Sequence, residues 1–362
     1  AQREFLSKSK TNAELDTEKD ALWTIPVCVV AFLPSHAFPN SSFREERRRV
    51  ERMSKRLAKS LSKGTIYHGY KEPEAAPSIR WEIVEVEAFM QSLPRYSKAR
   101  YFKRLNLKIT EKRAKAGVVD YQKIAKMADL RRAVAVHDCK EVWLWSSEAP
   151  ELRSLMSTPT SYPEILRNGN SYGHAFDGVI NKDHERKLKT SSKKMYWPRE
   201  LPKQRGSSYV LLHLQIRGGL HSALYTWLDY FETLLCHFDG RNSTPGNLWK
   251  DTLYWGHFVG ANHGFRLIDA RCGRPRQAVT DFNRRELQGK VMSDIQDWRP
   301  EGGKRRAVTH ETFRTLGWPM FWMQSIPGRG ASLYFRGKGL RNWWYFPANF
   351  DEACRRSCAL TY

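Results

Sequence analysis

The sequence predicts an α+β protein in two parts: an N-terminal, mainly helical region with a short membrane-proximal segment, and a C-terminal, aromatic-rich mixed α/β module. Three observations carry this reading. A proline-broken apolar run, Leu22 to Pro34, passes within ten residues into a basic amphipathic helix. Helical apolar spacing then recurs to about Val136. From Ser207 onward the chain turns rich in aromatics and glycine, with strand-like and helix-like stretches in alternation. Apolar residues make up 41% of the 362, enough for a packed core.

Residues 1–20 are polar and read as an extended arm. The run from Ala21 to Phe38 is about 18 residues, at the lower limit for a spanning helix. Pro26 and Pro34 remove backbone donors, so three placements fit it: a membrane span, a re-entrant or interfacial segment, and a buried soluble helix. Ser42 with Glu45 three residues later forms a capping box. The helix it opens runs to about Lys63 and stops at Gly64. Val50, Met53, Leu57 and Leu61 share one face, and Arg47, Arg48, Arg52, Lys55, Arg56 and Lys59 cover the remainder. A proline-containing connection follows, from Tyr67 to Ile79. Trp81–Leu93 reads as a helix broken by Pro94. Tyr96–Arg113 and Tyr121–Val136 read as two basic amphipathic helices, with Gly117 at the turn. The region 21–149 is thus one helical unit. Residues 150–206, with many Pro, Ser, Gly and Lys, form a linker or long surface loop. In the module 207–362, Tyr209–Ile216 reads as a strand and Ala223–Phe238 as an amphipathic helix. Short apolar runs at 254–260, 264–268, 331–335 and 343–346 complete it.

The net charge of +23 favours polyanionic neighbours: RNA, anionic lipid headgroups or acidic subunits of an assembly. Of six cysteines, only Cys354 and Cys358 are close in sequence. Their i,i+4 spacing admits a link between them but is too few ligands for zinc. The scatter of the rest suits a reducing interior. The chain opens on Ala1 rather than Met, which reads as a processed or trimmed start.

Candidate chemistry is sparse. His257, His263 and Asp269 are a tempting metal triad, but six residues of strand would separate the two histidines by about 20 Å. His174 and Asp177 pair a base with an acid in a loop, without a nucleophile. Arg217-Gly218-Gly219, Gly328-Arg329-Gly330 and Gly337-Lys338-Gly339 lack the spacing of a phosphate cradle and read as turns. The alternation of Trp318, Phe321, Trp322, Arg329, Tyr334, Phe335, Arg336, Lys338, Arg341, Trp343, Trp344, Tyr345 and Phe346 suits base stacking, yet more simply fills cores and subunit interfaces. No catalytic residue, cofactor or metal is expected.

Ile25-Pro26 before an apolar run, Phe32-Leu33-Pro34, Phe38-Pro39-Asn40, Phe43 and the charged helix resemble the start of LETM-type proteins of the mitochondrial inner membrane. The matching positions are Pro26, Pro34, Phe38, Pro39, Asn40 and Phe43, within residues 22–63. The resemblance implies a proline-interrupted membrane segment leading into a matrix-facing helical domain; ion transport is not carried over. The expectation is a non-catalytic accessory subunit of a large inner-membrane complex, respiratory or ATP synthase, on the matrix side. Its partners would be other subunits and anionic lipid such as cardiolipin, met by Arg44, Arg47, Arg48, Arg49 and Arg52. The alternative is a mitochondrial ribosomal or RNA-binding protein.

Overall fold

The computed structural model describes residues 18–69, 72–95, 119–148, 154–157, 175–176, 207–239, 253, 291–293, 306–308, 317–331, 334–335, 338–356 and 358–362. The chain divides into two compact units, one of residues 25–58 and 82–230, the other of residues 1–24, 59–81 and 231–362.

The apolar run forms a strand, β1 (Trp23–Phe32), rather than a helix of any placement. Its sequence, Ile-Pro-Val-Cys-Val-Val-Ala-Phe, is rich in β-branched residues, and a strand buried on both faces reads as an unbroken apolar run. From Val27 to Leu33 no residue is more than 2% exposed. Pro26 cannot donate, yet its carbonyl accepts from the Lys140 amide at 3.0 Å. Pro34 follows the strand with extended backbone and opens a short 3-10 turn, Ser35–Ala37.

The second correction concerns the helix expected at 81–93. Residues Ile79–Phe89 form strand β2. Its apolar positions alternate as 79, 81, 83 and then as 84, 86, 88, a phase change at Ile83-Val84 that mimics helical spacing. The Trp23 amide donates to Ser78 O and the Leu33 amide to Phe89 O, so β2 runs parallel to β1. The described part of the N-terminal region therefore mixes strands with helices. It supplies strands to a six-stranded sheet of order β2-β1-β3-β6-β4-β5. The further members are β3 (Glu141–Ser146), β4 (Ser154–Ser157), β5 (Ala175–Phe176) and β6 (Tyr209–Gln215). Strands β2, β1, β3 and β6 are parallel neighbours, whereas β4 runs antiparallel to β6. The expected strand at 209–216 is present, but it pairs with β3, so it joins the N-terminal sheet instead of a separate module.

Helix α1 (Phe43–Gly64) begins and ends where its sequence signals place it. The Ser42 amide and hydroxyl both donate to Glu45 Oε2, at 2.7 and 2.8 Å, and the Glu45 amide returns to Ser42 Oγ. At Gly64 a Cβ would come within 2.5 Å of the Met323 side chain. The expected helix 121–136 is two helices, α2 (Tyr121–Met127) and α3 (Leu130–His137), broken where Asp129 adopts a left-handed backbone. Helix α4 (Gly219–Asp239) spans the predicted 223–238.

The strand register sorts the sheet into two faces. Cys28, Val30, Phe32, Val142, Leu144 and Leu211 pack with Tyr121, Ile124, Leu130 and Ala133 of α2 and α3. On the opposite face, Trp145 Nε1 donates to Ser54 Oγ of α1 at 2.9 Å. There too, Glu141 accepts from Trp143 Nε1 at 2.7 Å and from Trp227 Nε1 of α4 at 3.0 Å. Helices thus cover both faces of a parallel sheet, the arrangement its unbroken apolar strands require.

In the other unit, the C-terminal half of α4 meets the aromatic segment. Phe231 stacks on Trp344 at 4.5 Å and Phe238 on Phe346 at 4.1 Å. Helices α5 (Gly317–Ser325), α6 (Tyr345–Ala348) and α7 (Phe350–Arg355) surround them. Arg341 binds both oxygens of Glu18, at 3.0 and 3.1 Å, and holds the described N-terminal residues against the C-terminal ones.

Cys28 and Cys139 form a disulfide across 111 residues of sequence, joining β1 to the residues entering β3. Cys354 and Cys358, the pair chosen by sequence proximity, are buried and not disulfide-bonded. Two of the six cysteines, distant in sequence, are thus paired, which the scatter along the chain did not suggest. Opening the disulfide should lower the unfolding free energy by about 2–5 kcal/mol. Urea unfolding with and without reductant checks this, and Cys139→Ser should abolish the difference between the two curves.

Candidate polyanion-binding face

In an open parallel sheet, ligands meet the carboxyl ends of the strands where the order reverses, here between β1 and β3. The register Phe32–Ser146–Gln215 brings three strand ends to one edge. From that edge leave the exposed Ser35 and His36, the pair Ser147-Glu148, and Arg217 before α4. The LETM-like positions Pro34, Phe38, Pro39, Asn40 and Phe43 all lie in this β1–α1 connection or at the first residue of α1. Pro39 and Asn40 are exposed, and Phe38 and Phe43 are half-buried. Pro26 lies apart, at the start of β1.

Helix α1 descends from this edge. Its inner face is spent on the sheet: Val50, Ser54 and Leu57 are 0% exposed. Arg44, Arg47, Arg48, Arg49 and Arg52, expected to be available to lipid or a partner, are all exposed. They are not equivalent. Arg47 pairs with Glu51 at 3.1 Å and reaches Val86 O at 3.5 Å. Arg49 pairs with Glu46 at 3.5 Å, and that buried carboxylate also accepts from Ser41 Oγ at 2.7 Å. Among the described residues no carboxylate pairs with Arg44, Arg48, Arg52, Lys55 or Arg56. At about 100° per residue these five fall within an arc of about 120° and a length of roughly 18 Å. Glu45, exposed and about 100° round from Arg44, lies inside the same arc. Its hydrogen bonds from Ser42, together with Arg48 nearby, hold it below the usual carboxylate range.

Sequence reasoning missed a buried polar relay on the opposite face of the sheet. Tyr121 Oη lies 3.0 Å from His213 Nδ1, and Ser146 Oγ lies 2.8 Å from His213 Nε2. Burial above all, with the positive charge of Arg95 added, pushes His213 down to about 3. The ring is therefore neutral, and the network assigns its one proton. Tyr121 donates to Nδ1, Nε2–H donates to Ser146, and Ser146 donates to Glu148 O at 3.1 Å. The Ser146 proton is committed to a carbonyl and the hydroxyl is 1% exposed, so this is a support for the strand end and not a nucleophile. Glu148 in turn forms an ion pair with Arg95. His213 inside a run of apolar strand residues was the available signal.

The other candidates dissolve or fall elsewhere. Trp322, Trp343, Trp344 and Phe346 are at most 1% exposed, so these four fill a core and are not open to stack on a base. Arg217-Gly218-Gly219 is the turn into α4, with Gly219 at φ 61°. Gly328-Arg329-Gly330 is a turn in which the Arg329 amide donates to Ser78 Oγ. His257, His263, Asp269, His174 and Asp177 lie outside the described residues, as does the basic stretch 96–118. Among the described residues, no group of three or more His, Cys, Asp or Glu is disposed to hold a metal, and no helix is long and apolar enough to cross a membrane.

Because folding keeps His213 neutral, its contribution to stability is complete above about pH 6.5 and is lost as pH falls from there towards 3. The loss approaches ~1.4 kcal/mol per pH unit. Urea unfolding at pH 7, 6 and 5 should show this slope, and His213→Leu should flatten it even though the variant starts less stable.

Comparison with known proteins adds no identity to this geometry: no family model, curated protein or solved structure matches the chain.

Proposed function

We propose that the chain is a non-catalytic accessory component of a larger assembly, and that it docks onto a polyanionic neighbour through the outer face of α1. The observation that supports this is the group Arg44, Arg48, Arg52, Lys55 and Arg56, exposed on one arc that holds a single carboxylate, Glu45, and in no ion pair among the described residues. Like charges held within one helical arc repel each other and weaken the helix. A net charge of +23 over the whole chain adds a long-range attraction for polyanions. The buried polar groups Glu141, Ser146 and His213 hold the sheet together, which is consistent with a scaffold.

A mitochondrial inner-membrane location rests on the resemblance at residues 22–63. The structure gives the apolar part of that segment a place inside the sheet, so membrane contact would fall to the arginine face alone. The full chain should bind immobilised heparin and elute only at elevated salt. Charge reversal of Arg48 and Arg52 to Glu should shift elution to clearly lower salt. Elution unchanged by the reversal, or no retention at physiological ionic strength, would remove the proposal.

A further inference from the structure

The geometry of α1 points to duplex RNA as the polyanion, bound through its phosphate backbone; this rests on the polyanion reading above and names its ligand. Arg44, Arg48, Arg52 and Arg56 succeed one another at i,i+4, a repeat of about 6 Å along the helix. The result is a linear array of four forked guanidiniums suited to paired contacts with phosphate oxygens.

Three other polyanions fit less well. A membrane-surface helix presents apolar side chains beside its cations so that they enter the headgroup boundary. Here Val50 and Leu57 are fully buried against the sheet, and the outer arc carries none. A single strand is gripped by aromatic platforms on which its bases stack. Of the tryptophans that sequence offered for this, Trp322, Trp343 and Trp344 are core residues. The DNA major groove, about 12 Å wide and 8.5 Å deep, accepts a helix that can enter it. Helix α1 is held down along its length by Val50, Ser54 and Leu57, with Trp145 bonded to Ser54, and exposes only a shallow ridge. A ridge that cannot penetrate suits the wide, shallow minor groove of an A-form duplex and its flanking phosphate rows, which are recognised by shape and backbone. The outer arc between 44 and 56 has no Asn or Gln to read base edges, so binding is indifferent to sequence.

The test is fluorescence anisotropy of the full chain with an RNA duplex of about 20 base pairs across a salt series. Five neutralised phosphates give a slope of log affinity against log salt of about −4 to −5. The double variant Arg48→Ala/Arg52→Ala should reduce that slope by about two. Lys123→Ala/Lys126→Ala, which removes exposed cations on another helix, should leave it unchanged. Thermal unfolding of both variants controls for folding. The inference is overturned if the Arg48/Arg52 variant keeps the wild-type slope, or if single-stranded RNA or B-DNA of the same length binds as tightly. It is also overturned if vesicles containing anionic lipid bind while the duplex does not. Retention on heparin without duplex binding defeats this inference and leaves the broader proposal standing, whereas loss of heparin binding defeats both.

Discussion

The requirement that β1 be covered on both faces organises the first unit. A strand whose residues from Val27 to Leu33 are at most 2% exposed cannot leave either face or either edge to water. Its edges are met by β2 and β3, and its faces by α1 and α4 on one side and α2 with α3 on the other. Parallel neighbours can only be joined by crossovers, so α1, which connects β1 to β2, also covers a face, and α2 and α3, which lie between β2 and β3, cover the other.

Burial on this scale strands polar groups unless each finds a partner. Glu141 sits at the start of β3 with 1% exposure, and two indole N–H groups meet its two oxygens. Thr65 serves the other unit similarly, its hydroxyl oxygen accepting from the amides of Ser78 and Ile79 at 3.1 Å. The His213 relay carries the same logic to the carboxyl edge, where it ends on a loop carbonyl and beside the Arg95–Glu148 pair. Glu141, Ser146 and His213, the buried polar residues of the sheet, are thereby committed to structure, and the functional reading is carried by the exposed charge.

Local signals were legible in the sequence and long-range ones were not. Ser42, Glu45 and Gly64 delimit α1 through bonds within a few residues and one tight glycine contact, so sequence spacing located both ends. The strand at 209–216 and the helix at 223–238 showed through composition and periodicity. β2 was hidden by its phase change at Ile83-Val84, and the break between α2 and α3 by a single left-handed Asp129. The disulfide joins residues 111 apart, whereas proximity in sequence pointed to Cys354 and Cys358. The arginines of α1 were identified correctly as exposed, but only the structure separates Arg47 and Arg49, which have carboxylate partners, from Arg44, Arg48 and Arg52.

The resemblance at residues 22–63 shows how one pattern arises from two physical causes. An apolar run, a proline, a short turn, a capping box and a basic amphipathic helix describe a membrane segment entering an aqueous domain. They equally describe a buried parallel strand, its turn and the first crossover helix of an α/β sheet. Length and residue type separate the two. A strand crosses a sheet in about five to ten residues and favours β-branched side chains, while a span needs about twenty of any apolar kind. Counted from Trp23 to Phe32 the run has ten residues, and four of its core positions are Ile25, Val27, Val29 and Val30. Pro34 stops it where the strand has crossed the sheet, well before a helix would have crossed a bilayer. What survives of the pattern under either cause is the exposed arginine face of α1, because neither a sheet nor a bilayer core can take it in.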